Sequence, residues 1–188
     1  MKILLILFVL FFSSLVVAED ISDFQIEGMS VGDSALNYYS KEQIKNNTQN
    51  WYNNNDFIPV VFQIKSDLYS SVEFNYKRGD VNYIIHSISG INYPENPEEC
   101  YIKQKLIISE LENTLLNTSD IKKVNIETKI HWGDSSGKST FTRGGFEFLS
   151  GALIDVECQD FTKESGFTNK MYISMSTKEF MNFLSIAY

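Results

Sequence analysis

Two serines stand in surroundings that could make a nucleophile. Ser34 closes Gly32-Asp33-Ser34, the order of an esterase nucleophile block. Ser135 lies in Gly133-Asp134-Ser135-Ser136-Gly137, close to the nucleophile loop of a serine protease. Either serine needs a general base, and the esterase chemistry takes it from a late Asp-x-x-His pair. The chain has two histidines, His86 and His131, and neither has an aspartate three residues before it. Ala35 stands where the esterase tetrapeptide carries leucine, and Ser136 where the protease loop carries glycine. Gly133 to Ser139 also falls one residue short of the phosphate-binding pattern G-x-x-x-x-G-K-[ST], with Trp132 where the first glycine is required. A hairpin turn of small polar residues accounts for all of these matches. No catalytic residue is assigned, and Ser34 or Ser135 carries an alternative, serine-hydrolase reading.

The same turn collects the groups best suited to contact a partner: His131, Asp134, Lys138 and Arg143, the last being one of two arginines. His131 is expected on the surface and Trp132 in the core, since consecutive strand residues face opposite ways. His86 lies in an apolar run and is expected to be structural. Glu98-Glu99 sit at a helix start, where the dipole accounts for them. Two cysteines and two histidines leave no pattern for a metal site, and no cofactor is implied. Lys and Arg number 16 against 24 acids, a net charge of −8, which argues against nucleic acid or an anionic membrane as partner.

Residues 1–18 have the form of an export signal: Lys2, then an unbroken apolar run from Ile3 to Phe12, then Val16-Val17-Ala18 before Glu19-Asp20. The apolar stretch falls short of the ~20 residues needed to span hydrocarbon. Residues 19–188 are therefore expected to form one periplasmic or secreted domain, free of the membrane after cleavage. About 170 residues can bury a substantial core. In an oxidising compartment Cys100 and Cys158 are expected to pair. Asn96-Pro97-Glu98-Glu99 is a helix start, and Cys100, Ile107, Ile108, Leu111 and Leu115 follow at helical spacing. Ala152, Ile154, Val156 and Cys158 alternate as the buried face of a strand. The two cysteines end the apolar stripes of a helix and a strand that pack together.

The other elements follow from the same periodicities. Phe24 and Ile26 suggest a short strand, and Ser30 with Asp33 the start of a short helix. Ser40-Lys41-Glu42-Gln43 is a capping box. Strands are expected at 57–64, with Pro59 marking an edge, at 72–77, and at 83–91 after the Arg78-Gly79-Asp80 turn. A helix from Pro97 to about Asn117 divides the chain. Val124, Ile126, Thr128, Ile130 and Trp132 form the cleanest two-residue period, expected to be buried. Strands at 141–148, 151–158 and 171–175 come next, and Ser176-Thr177-Lys178-Glu179 caps a last helix. The order predicts an α+β fold: an antiparallel sheet with helices packed on one face, two similarly planned halves and one disulfide. Asn46-Asn47-Thr48 and Asn117-Thr118-Ser119 match the N-glycosylation pattern.

Across nearly all of residues 19–188 the chain resembles an uncharacterised family of small exported proteins from AT-rich marine alphaproteobacteria. The segments carrying the likeness are 23–34 (DFQIEGMSVGDS), 85–91 (IHSISGI), Glu99-Cys100-Tyr101, Gly137-Lys138-Ser139 and Thr177-Lys178-Glu179-Phe180. That family lends no activity. The Ile26-x-Gly28-Met29-Ser30 entry is also similar to one in outer-membrane assembly lipoproteins and β-lactamase-inhibitor-like domains, which are helix-on-sheet binding modules. The chain has no lipid-attachment cysteine near residue 19. The expected function is a non-enzymatic binding or interaction domain, meeting a protein or small ligand of the cell envelope.

Overall fold

The computed structural model describes residues 20–115, 120–131 and 133–187. The expected leader, the Asn117 sequon and Trp132 lie outside them. Three strands, β1 (Phe57–Gln63), β2 (Ser71–Lys77) and β3 (Ile85–Asn92), precede helix α2 (Pro97–Leu115). Four more, β4 (Ile121–Ile130), β5 (Thr140–Phe148), β6 (Leu153–Asp160) and β7 (Lys170–Ser176), precede helix α3 (Lys178–Leu184). A short helix α1 (Lys41–Asn46) comes before the strands, with the Ser40–Gln43 capping box formed as expected. All seven strands join in one antiparallel sheet of order β1-β2-β3-β7-β6-β5-β4, the two meanders meeting at β3 and β7. The fold is α+β. No helix among the described residues is long and apolar enough to cross a membrane.

Side chains alternate across the pleat, and one face of the sheet is the core. Val60, Phe62, Val72, Phe74, Ile88, Met175, Ile154, Val156 and Phe146 are all buried in one cluster. Helix α2 covers the β5–β6 side, held by the Cys100–Cys158 disulfide at a Cα–Cα distance of 5.9 Å. The N-terminal segment joins the same cluster through Phe24, Met29, Ala35 and Ile44, and Tyr39 stacks on Phe62 at 3.8 Å.

Three expectations change. Residues 26–34 form no strand and helix. Ile26 and Met29 exchange backbone hydrogen bonds of 2.9 and 3.0 Å around Glu27 and Gly28, whose φ values of 51° and 78° make a tight reversal. Ser30 and Asp33 then close a turn, not a helix. The period in β4 is real, but its burial is not. A bulge between Val124 and Glu127 swaps the faces half-way along, and the strand lies at the sheet edge, leaving Ile130 63% exposed. The helices do not share one face. Phe57 points opposite to Val60 and Phe62, and it packs with Tyr52, Phe180, Phe183 and Ala187 in a second cluster. Helix α3 therefore lies on the face opposite α2.

The other edge is protected. The Pro59 carbonyl accepts from the Gln49 amide at 2.8 Å, and the Val61 amide donates to Asn47 at 3.1 Å. Proline has no N–H to offer the ladder, so its place on this edge costs nothing.

Candidate functional site

The turn after β4 is held by Asp134. Its carboxylate accepts from the Ser136 amide at 2.9 Å, the Ser136 hydroxyl at 2.8 Å, the Ser139 amide at 3.1 Å and the Ser139 hydroxyl. These donors, the Ser139 and Ser136 hydroxyls foremost, hold its pKa well below the usual carboxylate range. Asp134 thus fastens its own loop. His131 is buried, contrary to the surface position expected of it: its ring lies 4.6 Å from that of Phe161. Burial lowers its pKa, so the neutral ring is favoured. The β4–β5 hairpin turns inward at this point, which the strand alternation alone did not foretell. Lys138 and Ser135 are exposed. Arg143 is elsewhere, on the sheet face. Three residues along β5 from Thr140 separate it from the turn by about 10 Å of strand. The structure therefore brings His131 and Asp134 together and leaves Arg143 out. Ser34 caps a single 3-10 turn, donating to the Asn82 carbonyl and accepting from the Leu36 amide. His86 lies beside Thr177 and Glu179.

The sheet face opposite α2 carries the denser chemistry. Strand register places residues in rows. One row runs Glu73, Ser89, Ser174, Asp155, Gly145 across five adjacent strands. The next runs Ser71, Ile91, Tyr172, Glu157, Arg143, Glu127, and a third begins Asn75, Ser87, Ser176. Strands are about 4.8 Å apart and rows about 7 Å. Across the β3–β7 seam the hydroxyls pair, Ser87 with Ser176 and Ser89 with Ser174, each at 2.8 Å. Tyr52 donates to Asn75 Oδ1 at 2.9 Å, and Asn75 Nδ2 donates to Glu73 at 3.4 Å. Arg143 grips Asp155 with two hydrogen bonds, Nε at 3.0 Å and Nη2 at 3.2 Å. Gln159 donates to Glu157 at 2.7 Å.

Burial governs the ionisation of these acids. It raises the Glu73 pKa to about 7, partly offset by the Asn75 hydrogen bond and the more distant Lys170. It does the same to Glu157, where the neighbouring Asp155 adds to the rise. Burial also pushes Asp155 upward, opposed by the Arg143 guanidinium. The paired geometry favours the carboxylate against that burial, and its charge in turn raises Arg143. Near pH 7 the face thus holds carboxyls able both to donate and to accept. No group of three or more His, Cys, Asp or Glu among the described residues is arranged to hold a metal ion.

Comparison of the chain with family profiles, with curated proteins and with solved structures returned no match in any of the three.

Sequence reasoning passed over Glu73, Asp155, Glu157 and the serine pairs. A signal was present. In β2, β3, β6 and β7 most residues alternating with the core are Ser, Asn, Tyr or acids, with Ile91, Leu153 and Gln159 the exceptions, and Lys appears only at strand ends. An ordinary solvated face carries long, flexible charges there. Gln104 was also missed: it is 1% exposed on α2, donating to the Thr142 and Val156 carbonyls at 2.7 and 2.8 Å, while its Oε1 has no partner.

Proposed function

We propose that the chain is an exported, non-enzymatic binding domain of the cell envelope, and that the polar face of its sheet is the surface that meets the ligand. The observation that carries this reading is the burial of Glu73 and Asp155 in a row of paired hydroxyls, on the face that also carries the smaller apolar cluster of Phe57, Phe180 and Phe183. Buried polar arrays cost stability relative to apolar ones, and a fold retains them where they serve something else. The leader-like residues 1–18, the single disulfide and the absence of a spanning helix among the described residues are compatible with a secreted or periplasmic location. So is the likeness to small exported alphaproteobacterial proteins. The partner is a protein or small ligand of the envelope; the acidic balance argues against nucleic acid or lipid headgroups.

The test is affinity capture and native mass spectrometry from an envelope extract, using the wild-type chain, Tyr172→Ala at a half-buried position of the polar sheet face and Lys138→Ala in the turn. A ligand lost with Tyr172→Ala and kept with Lys138→Ala is the expected result. Loss with Lys138→Ala alone moves the site to the turn, and recovery of nothing in repeated trials overturns the binding reading.

A further inference from the structure

Between α3 and strands β4–β6 the polar face opens into a groove of about 540 Å³. Its floor is Gly145, in line with Asp155 on one side and Val124 on the other. A side chain cannot stand there, because a Cβ on Gly145 would run into the Ile154 carbonyl and Asp155 Cα. One wall is α3, through Lys178, Met181 and Asn182, and the other is edge strand β4, through Glu127 and Lys129.

The charges lining this groove balance, with Glu127, Glu147 and Asp155 against Lys129, Arg143 and Lys178. A ligand with net charge of either sign gains nothing from the set as a whole. At the centre is the Arg143–Asp155 pair, fixed by two hydrogen bonds and one-third exposed on the arginine side. Those bonds use Nε and Nη2. The second N–H of Nη2 meets only the Met181 sulfur, at 3.9 Å, and lies on the same edge of the guanidinium as a carboxylate with lone pairs to spare. A rigid donor next to a rigid acceptor is matched by a group that accepts and donates over the same short span. Two adjacent hydroxyls do this: one accepts from the second N–H of Nη2 in place of the Met181 sulfur, and the other donates to Asp155. Met181, Leu153 and Phe141 supply apolar surface for the C–H side of such a molecule.

We propose that this groove binds an uncharged, hydroxyl-rich ligand, a saccharide, through a vicinal diol seated on Arg143 and Asp155. The assignment rests on the sheet-face reading and narrows it to a place and a chemical class.

The test is an amide NMR titration of the exported chain with maltose, with fully O-methylated maltose, which keeps the shape and loses every O–H, and with Ala-Ala as a zwitterion. Maltose is expected to shift the amides of Gly144, Gly145 and Asn182 saturably in the millimolar range, with the methylated sugar and Ala-Ala leaving them in place. Asn182→Trp, which fills the groove from an exposed helix position, should weaken that binding at least tenfold without unfolding the sheet. Equal shifts with the methylated sugar, stronger shifts with Ala-Ala, or none with maltose would overturn the diol assignment. If a ligand captured from envelope extract shifts other residues of the polar face while maltose shifts none, the sheet-face reading stands and the saccharide falls. If neither shifts the face, both fall.

Discussion

Replacing Glu73 by glutamine should make the protein more stable, and only at neutral and alkaline pH. The side chain is 8% exposed and its pKa is raised from 4.5 to about 7 by burial. Below pH 4 it is protonated in folded and unfolded chains alike, and its ionisation has no bearing on stability. Between about pH 4.5 and 7 the unfolded chain has released the proton and the folded chain has kept it. Stability therefore falls as pH rises, by about 1.4 kcal/mol per unit. Above pH 7 the loss levels off at about 3 kcal/mol. Glutamine stays neutral throughout and can still accept from Asn75. Urea unfolding of both proteins at pH 4, 6 and 8 should give curves that coincide at pH 4 and separate by about 3 kcal/mol at pH 8, Glu73→Gln being the more stable. His86 and His131, whose pKa values are lowered by burial, favour the folded state above pH 6.5 and act in the opposite sense. They are common to both proteins and cancel in the difference. A variant equally stable or weaker at pH 8 would show that Glu73 is solvated or ion-paired, and the account of the polar face would lose its energetic basis.

The other expectations concern the scaffold. Cys100→Ala with Cys158→Ala opens a closure spanning 58 residues, and should lower stability by about 4 kcal/mol in chemical denaturation; a loss below 1 kcal/mol would mean the unfolded chain is already compact there. Gly145→Ala must displace the β6 backbone, so a loss of more than about 2 kcal/mol is expected in thermal unfolding, and a neutral result would contradict the close approach of β5 and β6. Gln104→Ala removes packing volume and two hydrogen bonds to sheet carbonyls, for a cost of about 2–4 kcal/mol; a change under 1 kcal/mol would show that the bridge does not form.

What was legible in the sequence was local and periodic. The Ser40 capping box, the Asn96 cap of α2, the edge role of Pro59 and the pairing of Cys100 with Cys158 each follow from a few neighbouring residues or one stripe. What was not legible depended on partners distant in sequence. A bulge changes the meaning of an alternating pattern without altering it, so Ile126 and Ile130 look like core and lie at an exposed edge. The face chosen by α3 is decided by Phe57, over a hundred residues away, meeting Phe180 and Phe183. Gln104 gives no sign in the helix pattern that its amide will reach two strands. The binding candidates in the turn drew attention because glycine, aspartate and serine imitate catalytic loops, whereas the same residues build tight turns. Asp134 with Ser136 and Ser139 is such a turn. The acids of the polar face carry no local sign of their burial, since alternation marks which residues share a side but not what covers that side.

Photo-crosslinking in cells that export the protein tests the place of binding most directly. A benzoylphenylalanine at position 172, in the middle of the polar face, is compared with one at position 138, at the tip of the exposed turn. Adducts formed from position 172 and not from position 138 are the expected result. Adducts from position 138 alone, or from neither position, would contradict the assignment of the sheet face as the binding surface.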